Sequence, residues 1–268
     1  MEGITDQTLK LLSQVSKGRD LTHDLQTEIN PELFFRRNSV NLLIGKKGSG
    51  KTYNVFREVL KLKFIPNHHY SKMIYVTNKV WDRTYDLFKD ILPVPLIRVN
   101  YDGAVKAIRE VSEAKNAAHE IVSKGIDLND LEDESKQRLN NILGSELSTT
   151  NDVFHTIVLL DDCLDRFAHR TPQNAELWRL LFENRDPKIT YFLTMQDAKG
   201  IDSALKENCD SIWLFGSFTP NRFRYLMRFI PTDSTPAELF PIYYSLTKNQ
   251  ALIFDIKPDG TEMIVLKR

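Results

Sequence analysis

A glycine-rich segment of eight residues constrains the fold of this chain more than any other feature of its sequence. The segment reads GKKGSGKT, follows the apolar run NLLI and precedes a stretch with helical periodicity. It fits the pattern GxxxxGK[ST], in which small residues let backbone N–H groups and a helix N-terminus face one phosphate group. The sequence therefore predicts a strand, a phosphate-binding loop and a helix in direct succession. The residues of the predicted loop are Gly45, Lys46, Lys47, Gly48, Ser49, Gly50, Lys51 and Thr52.

The last two residues of this loop carry its chemistry. Lys51 is expected to reach the β- and γ-phosphates of a nucleotide, and the Thr52 hydroxyl is expected to bind Mg²⁺. A glycine-rich loop without a ligand is the alternative, but the strand before it and the helix after it form the context that nucleotide binding requires. We therefore expect a nucleotide at this loop.

A second motif, TIVLLDD at 156–162, places two carboxylates after an apolar run. The run predicts a buried strand, so both acids are expected at the carboxyl edge of the sheet, beside the phosphate-binding loop. Asp161 would hold the magnesium ion, and Asp162 would polarise an attacking water molecule. This arrangement favours hydrolysis over binding alone. An N-cap aspartate pair that begins the next helix is the competing interpretation.

The third motif is ITYFLTMQ at 189–196, a strand that ends in an amide at the same edge. Gln196 is expected to sense the γ-phosphate or to orient the water molecule. Arg185, shortly before this strand, is a candidate arginine finger for a neighbouring subunit. A surface arginine paired with Asp186 is the alternative at that position.

A further cationic group, formed by Arg222, Arg224 and Arg228, is interleaved with aromatic residues. It suits contact with DNA phosphates or a second finger. A solvated helix face is the more conservative interpretation.

The alternation of short apolar runs with longer amphipathic segments from residue 39 onward predicts an α/β fold with a mostly parallel central sheet. Candidate strands cover 40–44, 73–77, 96–99, 156–160, 189–194 and 211–215. We expect an N-terminal helical arm at 1–36 and a P-loop domain at 37–268. Within that domain, 103–150 is expected to be a charged helical insertion, either a solvated helical pair, a lid or an oligomer contact. Residues 250–268 predict a C-terminal β-hairpin around a Pro-Asp-Gly turn.

Composition excludes several classes of protein. With 268 residues, 41% of them hydrophobic, the chain can bury a full core and is not globally disordered. Lys and Arg number 36 and Asp and Glu also number 36, so contacts with nucleic acid must be local. Cys163 and Cys209 lack CxxC spacing, which argues against a disulfide framework or a cysteine zinc site. Neither a secretory leader nor a run of roughly 18 apolar residues is visible, so we expect a soluble protein inside a cell.

Three stretches together resemble a known family. They read FFRRNSVNLLIGKKGSGKT, TIVLLDDCLDRF and ENRDPKITYFLTMQDAKGIDSALKENCDSIWLF. They resemble the viral genome-packaging ATPases of the FtsK–HerA superfamily, of the type found in poxviruses, other large DNA viruses, virophages and some phages. The likeness covers about residues 33–217. Its most specific part is the acidic Asp-Asp strand, the arginine before the next strand, and the strand ending in glutamine that an Asn-x-Asp segment follows.

The resemblance implies an ASCE-type, RecA-like P-loop core that hydrolyses ATP with Mg²⁺ and moves double-stranded DNA into a capsid. It implies a ring, a hexamer by analogy, that contacts capsid or portal-vertex proteins in the host cytoplasm or virus factory, or in the virion. The chain departs from the family in carrying aspartate at 162, where cellular relatives usually have glutamate, and in the length of its charged stretch at 113–150. The residues that match the family's functional positions are Lys51, Thr52, Asp161, Asp162, Gln196 and Arg185.

Two other functions fit a phosphate-binding loop. One is a small-molecule or nucleoside kinase, which would ignore DNA and need a phosphoryl acceptor. The other is a non-catalytic assembly factor that binds ATP. A GTPase is not favoured, because Asp82 lies three residues after Lys79 instead of two and no DxxG follows at the usual place. An ABC ATPase is not favoured either, since its second glycine-rich signature is absent.

Overall fold

The computed structural model of the chain describes residues 33–66, 68–127, 130–143, 155–162, 171–197, 201–216, 218–257 and 260–266. These residues contain one eight-stranded sheet in the order β3-β2-β4-β5-β1-β6-β7-β8. The strands are β1 Val40–Ile44, β2 Tyr70–Val76, β3 Leu96–Val99, β4 His155–Leu160, β5 Ile189–Met195, β6 Ser211–Phe215, β7 Ala251–Lys257 and β8 Gly260–Leu266. The α-helices are α1 Lys51–Leu60, α2 Arg83–Phe88, α3 Tyr101–Ser123, α4 Asp133–Leu143, α5 Ala175–Phe182, α6 Ser203–Glu207, α7 Pro220–Met227 and α8 Pro236–Ser245.

The sheet is parallel from β3 to β6, and β7 and β8 add an antiparallel hairpin to it. This topology confirms the predicted α/β fold with a mostly parallel sheet and a C-terminal hairpin. The second strand begins earlier than predicted, because Tyr70 and Lys72 also pair with β4. Both residues are buried despite their polar groups. Their polarity concealed the start of β2 from a prediction based on apolar runs.

Two hydrophobic clusters lie on opposite faces of the sheet. Leu42 and Ile44 belong to one cluster and Leu43 to the other, as expected for a strand whose side chains alternate between faces. The first cluster receives the buried sides of α3, α5, α7 and α8. The second receives α1 and α2. The helix that follows the glycine-rich loop therefore shares its face of the sheet with α2.

Helix α3 differs from a solvated helix. Its residues Ala104, Ile108 and Val111 recur at the spacing of one helical face and are buried in the first cluster. Parallel strands need a crossover connection, and α3 begins the one that joins β3 to β4. The first part of the segment 103–150 is therefore packed on the sheet, whereas residues 132–135, at the start of α4, are exposed.

Several predicted features fall outside the described residues. Among them are most of the N-terminal arm at 1–36, Cys163 and the first two residues of the Pro-Asp-Gly turn. Of the two cysteines, Cys209 is described and is a buried free thiol. Among the helices of the described ranges, none combines the length and the apolar character that crossing a membrane would require.

The parallel strands bring four chain segments to one edge of the sheet. The glycine-rich loop follows β1, Thr77 follows β2, Asp161 follows β4 and Gln196 follows β5. Strand β5 lies between β1 and β4. The acidic strand is therefore separated from the strand of the loop by one strand, and the end of β5 lies between the two motifs.

Candidate nucleotide-binding site

The loop between β1 and α1 is packed tightly against the sheet. Gly45 donates its N–H to the carbonyl of Met195 at 3.1 Å. A Cβ atom at position 45 would lie 2.6 Å from the Ser49 hydroxyl and 2.7 Å from the Cβ of Phe215. Gly50 precedes α1 with a φ of 97°, a left-handed conformation that glycine adopts at little cost. Glycine thus fits position 45 because a side chain has no space there, and position 50 because the backbone has a positive φ.

Two polar groups of the loop suit an anionic ligand. The hydroxyl of Ser49 is buried and has no hydrogen-bond partner within the described residues. Lys51 is buried, and its Nζ donates to the carbonyl oxygens of Gly45 and Lys46. Burial lowers the pKa of Lys51 to about 8, although two nearby carboxylates oppose the shift. A desolvated ammonium beside a helix N-terminus gains strongly from contact with phosphate.

The carboxylate of Asp161 accepts hydrogen bonds from several sides. Its Oδ1 accepts from the hydroxyl of Thr52 at 2.6 Å and from that of Thr194 at 2.8 Å. Its Oδ2 forms an ion pair with Lys79 and lies 3.1 Å from the hydroxyl oxygen of Tyr75, which donates its proton to Asp82. Burial alone would raise the pKa of Asp161, but the ammonium of Lys79 and the hydroxyl groups outweigh it and hold that pKa below its ordinary value. The carboxylate is therefore ionised at neutral pH.

The residues predicted to hold Mg²⁺ lie together. Thr52 and Asp161 come from α1 and the end of β4, and their oxygen atoms are 2.6 Å apart. A hydroxyl and a carboxylate are ligands that Mg²⁺ accepts, so the donor set fits this ion. The described residues contain no group of three His, Cys, Asp or Glu side chains that could hold a metal. Such an ion would take its other ligands from phosphate oxygens and water, as is usual for Mg²⁺.

The second carboxylate contacts the predicted glutamine. Asp162 is exposed and has a φ of 55°, a left-handed conformation that aspartate tolerates better than most residues. Its N–H donates to the hydroxyl of Thr194 at 2.8 Å. The side-chain amide of Gln196 donates to both of its carboxylate oxygens, at 3.0 and 2.8 Å. Thr194 thus contacts both acidic residues, and Gln196 contacts the exposed one.

The sequence interpretation missed several residues around Asp161. It used Lys79 only to argue against a GTPase motif, although a lysine shortly after a parallel strand is expected at the carboxyl edge. It gave no role to Tyr75 or Thr194, because a hydroxyl group inside a strand is a weaker signal than a charged residue at its end. Tyr101, at the start of α3, also donates to the backbone carbonyl of Asp161.

The structure does not bring Arg185 to the loop of its own chain. Arg185 is exposed in the turn before β5, whereas Gln196 follows the same strand. The seven residues of β5 separate these two ends by roughly 20 Å. Any contact of Arg185 with a nucleotide would therefore have to involve another subunit.

Two of the three other candidate arginines lie on α7, and Arg228 follows it. Arg222 forms an ion pair with Asp197, beside Gln196, and its guanidinium lies 4.4 Å from the ring centre of Tyr225. Arg224 and Arg228 are exposed. Arg222 is therefore close to the site of its own chain.

The turn before β7 packs against the loop. Asn249 has a φ of 67°, and its backbone carbonyl accepts from the side-chain amide of Asn54 at 3.2 Å. That amide also donates to the carbonyl of Gly50 at 2.9 Å. A Cβ at position 50 would lie only 2.2 Å from Oδ1 of Asn249. The start of α1 is thus fixed by contacts with the C-terminal part of the chain.

Comparison with known proteins identifies the fold. No protein-family model and no curated protein matches the chain. Among solved structures, the DNA-packaging ATPase B204 of Sulfolobus turreted icosahedral virus is similar, with a TM-score of 0.54 and 16% identity over 87% of this chain and 98% of that chain. The genome packaging NTPase B204 of Sulfolobus turreted icosahedral virus 2, in complex with ATP-gammaS, gives 0.53 and 18% over 89% and 98%.

A bacterial protein is also similar. ATPases 2 and 3 of EssC from Geobacillus thermodenitrificans align with a TM-score of 0.54 and 16% identity over 85% of this chain and 39% of that chain. Together with the strand order and the loop geometry, these similarities confirm the predicted P-loop ATPase fold.

Proposed function

We propose that this chain is a Mg²⁺-dependent ATPase that moves double-stranded DNA and packages a viral genome into a capsid. The observation that carries the proposal is the meeting of two residue pairs at one edge of the sheet. Thr52 contacts Asp161, and Gln196 contacts Asp162. The first pair suits metal binding and the second suits activation of water, so the site combines binding with hydrolysis.

Each residue has a defined task in this mechanism. The N–H groups of the loop and the ammonium of Lys51 bind the β- and γ-phosphates of ATP. Thr52 and Asp161 would hold Mg²⁺, which when bound would supply positive charge to the phosphate oxygens. Asp162 accepts a proton from the water molecule that attacks the γ-phosphorus, and the bond from this phosphorus to the β–γ bridging oxygen breaks to release ADP and phosphate. Gln196 orients Asp162 through its two hydrogen bonds.

The fold similarity and the charge balance support the proposal that the protein moves DNA. The names of two similar structures describe packaging enzymes, which supports the same task here. A chain with equal numbers of basic and acidic residues attracts DNA weakly at long range. Several subunits that each present a few cations to one duplex would bind it more tightly than a single subunit. We therefore infer a ring, a hexamer by analogy, whose ATP lies between subunits and is reached by an arginine of the neighbour.

The assembly would work in the infected host cell, in the cytoplasm or virus factory, against a capsid or portal-vertex protein. In this proposal residues 37–268 form the ATPase domain and residues 1–36 an appended arm. The segment 103–150 adds helices to the core, and 250–268 adds the hairpin.

ATP turnover with and without duplex DNA tests the proposal. Wild-type protein is expected to hydrolyse ATP without a phosphoryl acceptor and faster with DNA. Lys51→Ala should abolish nucleotide binding, because the phosphates lose their buried cation. Lys89→Ala is the matched control, since Lys89 is an exposed lysine that pairs with Asp86 on α2.

The alternatives give different results in the same assays. A kinase would consume ATP only with an acceptor and would not respond to DNA, and an assembly factor would bind ATP without turnover. Sizing with a non-hydrolysable ATP analogue should show a ring. Hydrolysis at the wild-type rate by Lys51→Ala would contradict the assignment of the loop.

A further inference from the structure

The segment between β2 and α2 carries a lysine that the proposed ATPase mechanism does not use. Lys79 forms an ion pair with Oδ2 of Asp161. The Lys79 side chain is 44% exposed, whereas that of Asp161 is 2% exposed. The ammonium therefore approaches a buried carboxylate from the solvent side, and it contacts the same group that is proposed to hold Mg²⁺.

The carboxylate has little capacity left for another cation. Thr52 and Thr194 donate to Oδ1, and Tyr75 and Lys79 contact Oδ2. Three of these contacts are neutral hydroxyl groups, which remain compatible with a metal ion nearby. The fourth is a positive charge, which repels a divalent cation over so short a distance in a partly buried site. Lys79 and Mg²⁺ therefore compete for Asp161.

The ends of the segment that carries Lys79 are fixed. The N–H of Lys79 donates to the hydroxyl of Thr77 at 3.3 Å. At the other end, Asp82 caps α2 by accepting from the N–H groups of Thr84 and Tyr85, at 2.9 and 3.1 Å. Tyr75 also donates to Asp82. Residues 78–81 between these anchors form an exposed tip, in which the side chain of Lys79 provides a direct link to Asp161.

Two large apolar residues lie at this exposed tip. Val80 is 80% exposed and Trp81 is 89% exposed. Arg98 of β3 donates to the backbone carbonyls of Lys79 and Val80. The ion pair of Lys79 with Asp161 is thus one of the contacts that hold this tip, beside those of Arg98.

We propose that the ion pair between Lys79 and Asp161 breaks when a nucleotide with bound Mg²⁺ enters the loop, and that the loss of this ion pair moves the tip formed by residues 78–81. The inference rests on the proposed nucleotide binding and adds a response to it. Lys79 is in this view a positioning residue, because it acts through Asp161 and the tip. The tip would report to its surroundings whether the metal-bound nucleotide is present.

The first test measures how binding of a non-hydrolysable ATP analogue depends on the Mg²⁺ concentration, by calorimetry. Lys79→Met removes the competing charge, so the Mg²⁺ concentration for half-maximal binding should fall about tenfold. Lys79→Arg keeps the positive charge and should change the Mg²⁺ concentration for half-maximal binding less. Lys89→Met is the control, because its side chain is 42% exposed but its partner Asp86 is itself 57% exposed. A Mg²⁺ requirement that is unchanged or higher in Lys79→Met would overturn the proposal.

The second test needs no substitution at Lys79 and uses tryptophan fluorescence. The chain has three tryptophans, and Trp178 and Trp213 are 1% and 0% exposed. Quenching by acrylamide should therefore report mainly on Trp81, with Trp81→Phe as the background. Analogue plus Mg²⁺ should change this quenching, and analogue with EDTA should change it by less than half as much. In Lys79→Met the change should also be smaller than in wild type.

The outcomes separate this inference from the proposed function. If calorimetry detects no nucleotide binding by the wild-type protein, the proposed function fails and the inference falls with it. If the analogue and Mg²⁺ bind but the quenching of Trp81 stays constant, the inference alone is wrong. It is equally wrong if EDTA leaves the full change in place.

Discussion

The side-chain amide of Gln196 donates to both carboxylate oxygens of Asp162, at 3.0 and 2.8 Å. The contact joins the residue that follows β5 to the second acid after β4, and β4 and β5 are neighbours in the sheet. An amide that holds both oxygens fixes the rotation of the carboxylate. In the proposed mechanism, water activation by Asp162 would therefore depend on the position of Gln196.

Replacing Gln196 with alanine should weaken the link between DNA and hydrolysis. Asp162 loses the amide that orients it, so we expect DNA-stimulated turnover to fall about tenfold or more while nucleotide affinity changes little. Steady-state ATPase assays with and without duplex DNA measure this. Gln173→Ala, at an exposed glutamine before α5, is the control. The same stimulation by DNA in wild type and Gln196→Ala would refute the role.

The two aspartates should give different defects when each is changed to asparagine. Asp161→Asn removes the charge beside Thr52 and should weaken Mg²⁺-dependent nucleotide binding. Asp162→Asn should keep binding and lose turnover by roughly 10²-fold or more, as expected for a group that acts mainly in the transition state. Calorimetry with an ATP analogue and single-turnover hydrolysis separate the two effects. Equal losses of affinity would contradict the division of roles.

A mixture of two inactive variants tests whether Arg185 acts on a neighbouring subunit. Arg185→Ala keeps an intact loop, and Lys51→Ala keeps the arginine, so mixed rings should recover part of the ATPase activity. Loss of a finger typically costs about 10³-fold in turnover and spares binding. Co-assembly has to be verified by sizing of differently tagged subunits. Mixed rings without recovery would count against Arg185 and direct the search to Arg222 or Arg224.

Substitutions of two glycines in the loop should differ in their effect on stability. Gly48 and Gly50 have φ values of 77° and 97°, so alanine is strained at both positions. At position 48 the new Cβ would meet nothing within 4 Å, whereas at position 50 it would meet the side chain of Asn249. We expect Gly50→Ala to lower the free energy of unfolding by at least about 1 kcal/mol more than Gly48→Ala.

Urea denaturation measures this difference. Adding Asn249→Gly to Gly50→Ala should recover part of the loss, since it removes the two closest contacts, leaves the Cα of residue 249 at 3.1 Å, and places glycine at a positive φ. Equal losses in the two single variants would mean that the turn before β7 does not restrict the loop.

The fold, the glycine-rich motif and the acidic motif could all be predicted from the sequence, because each of their signals lies within a short stretch of residues. Strands β1, β3 and β6 have the predicted bounds, since each is a short, mostly apolar stretch. The meeting of Thr52 with Asp161 follows from the rule that parallel strands end at one edge. The same rule places Lys79 near this edge, but not its ion pair with Asp161, because that contact also depends on the path of the chain after β2.

Helix α3 shows a second limit of the sequence interpretation. Charged residues dominate the exposed side of the helix, and they masked the spacing of Ala104, Ile108 and Val111. The helix that follows Gln196 spans Ser203–Glu207 in the described residues. Residues 198–200 lie outside the described ranges.

The division of the core by the sheet also determines how substitutions combine. Val59 of α1 and Leu181 of α5 are both fully buried, but they belong to different clusters on opposite faces. Residues that share no partners usually contribute additively to stability. The double variant with alanine at both positions should therefore lose a free energy of unfolding equal to the sum of the two single losses, each of about 1–4 kcal/mol. The face that packs α3, α5, α7 and α8 can accordingly vary in sequence without repacking the side chains beneath the loop.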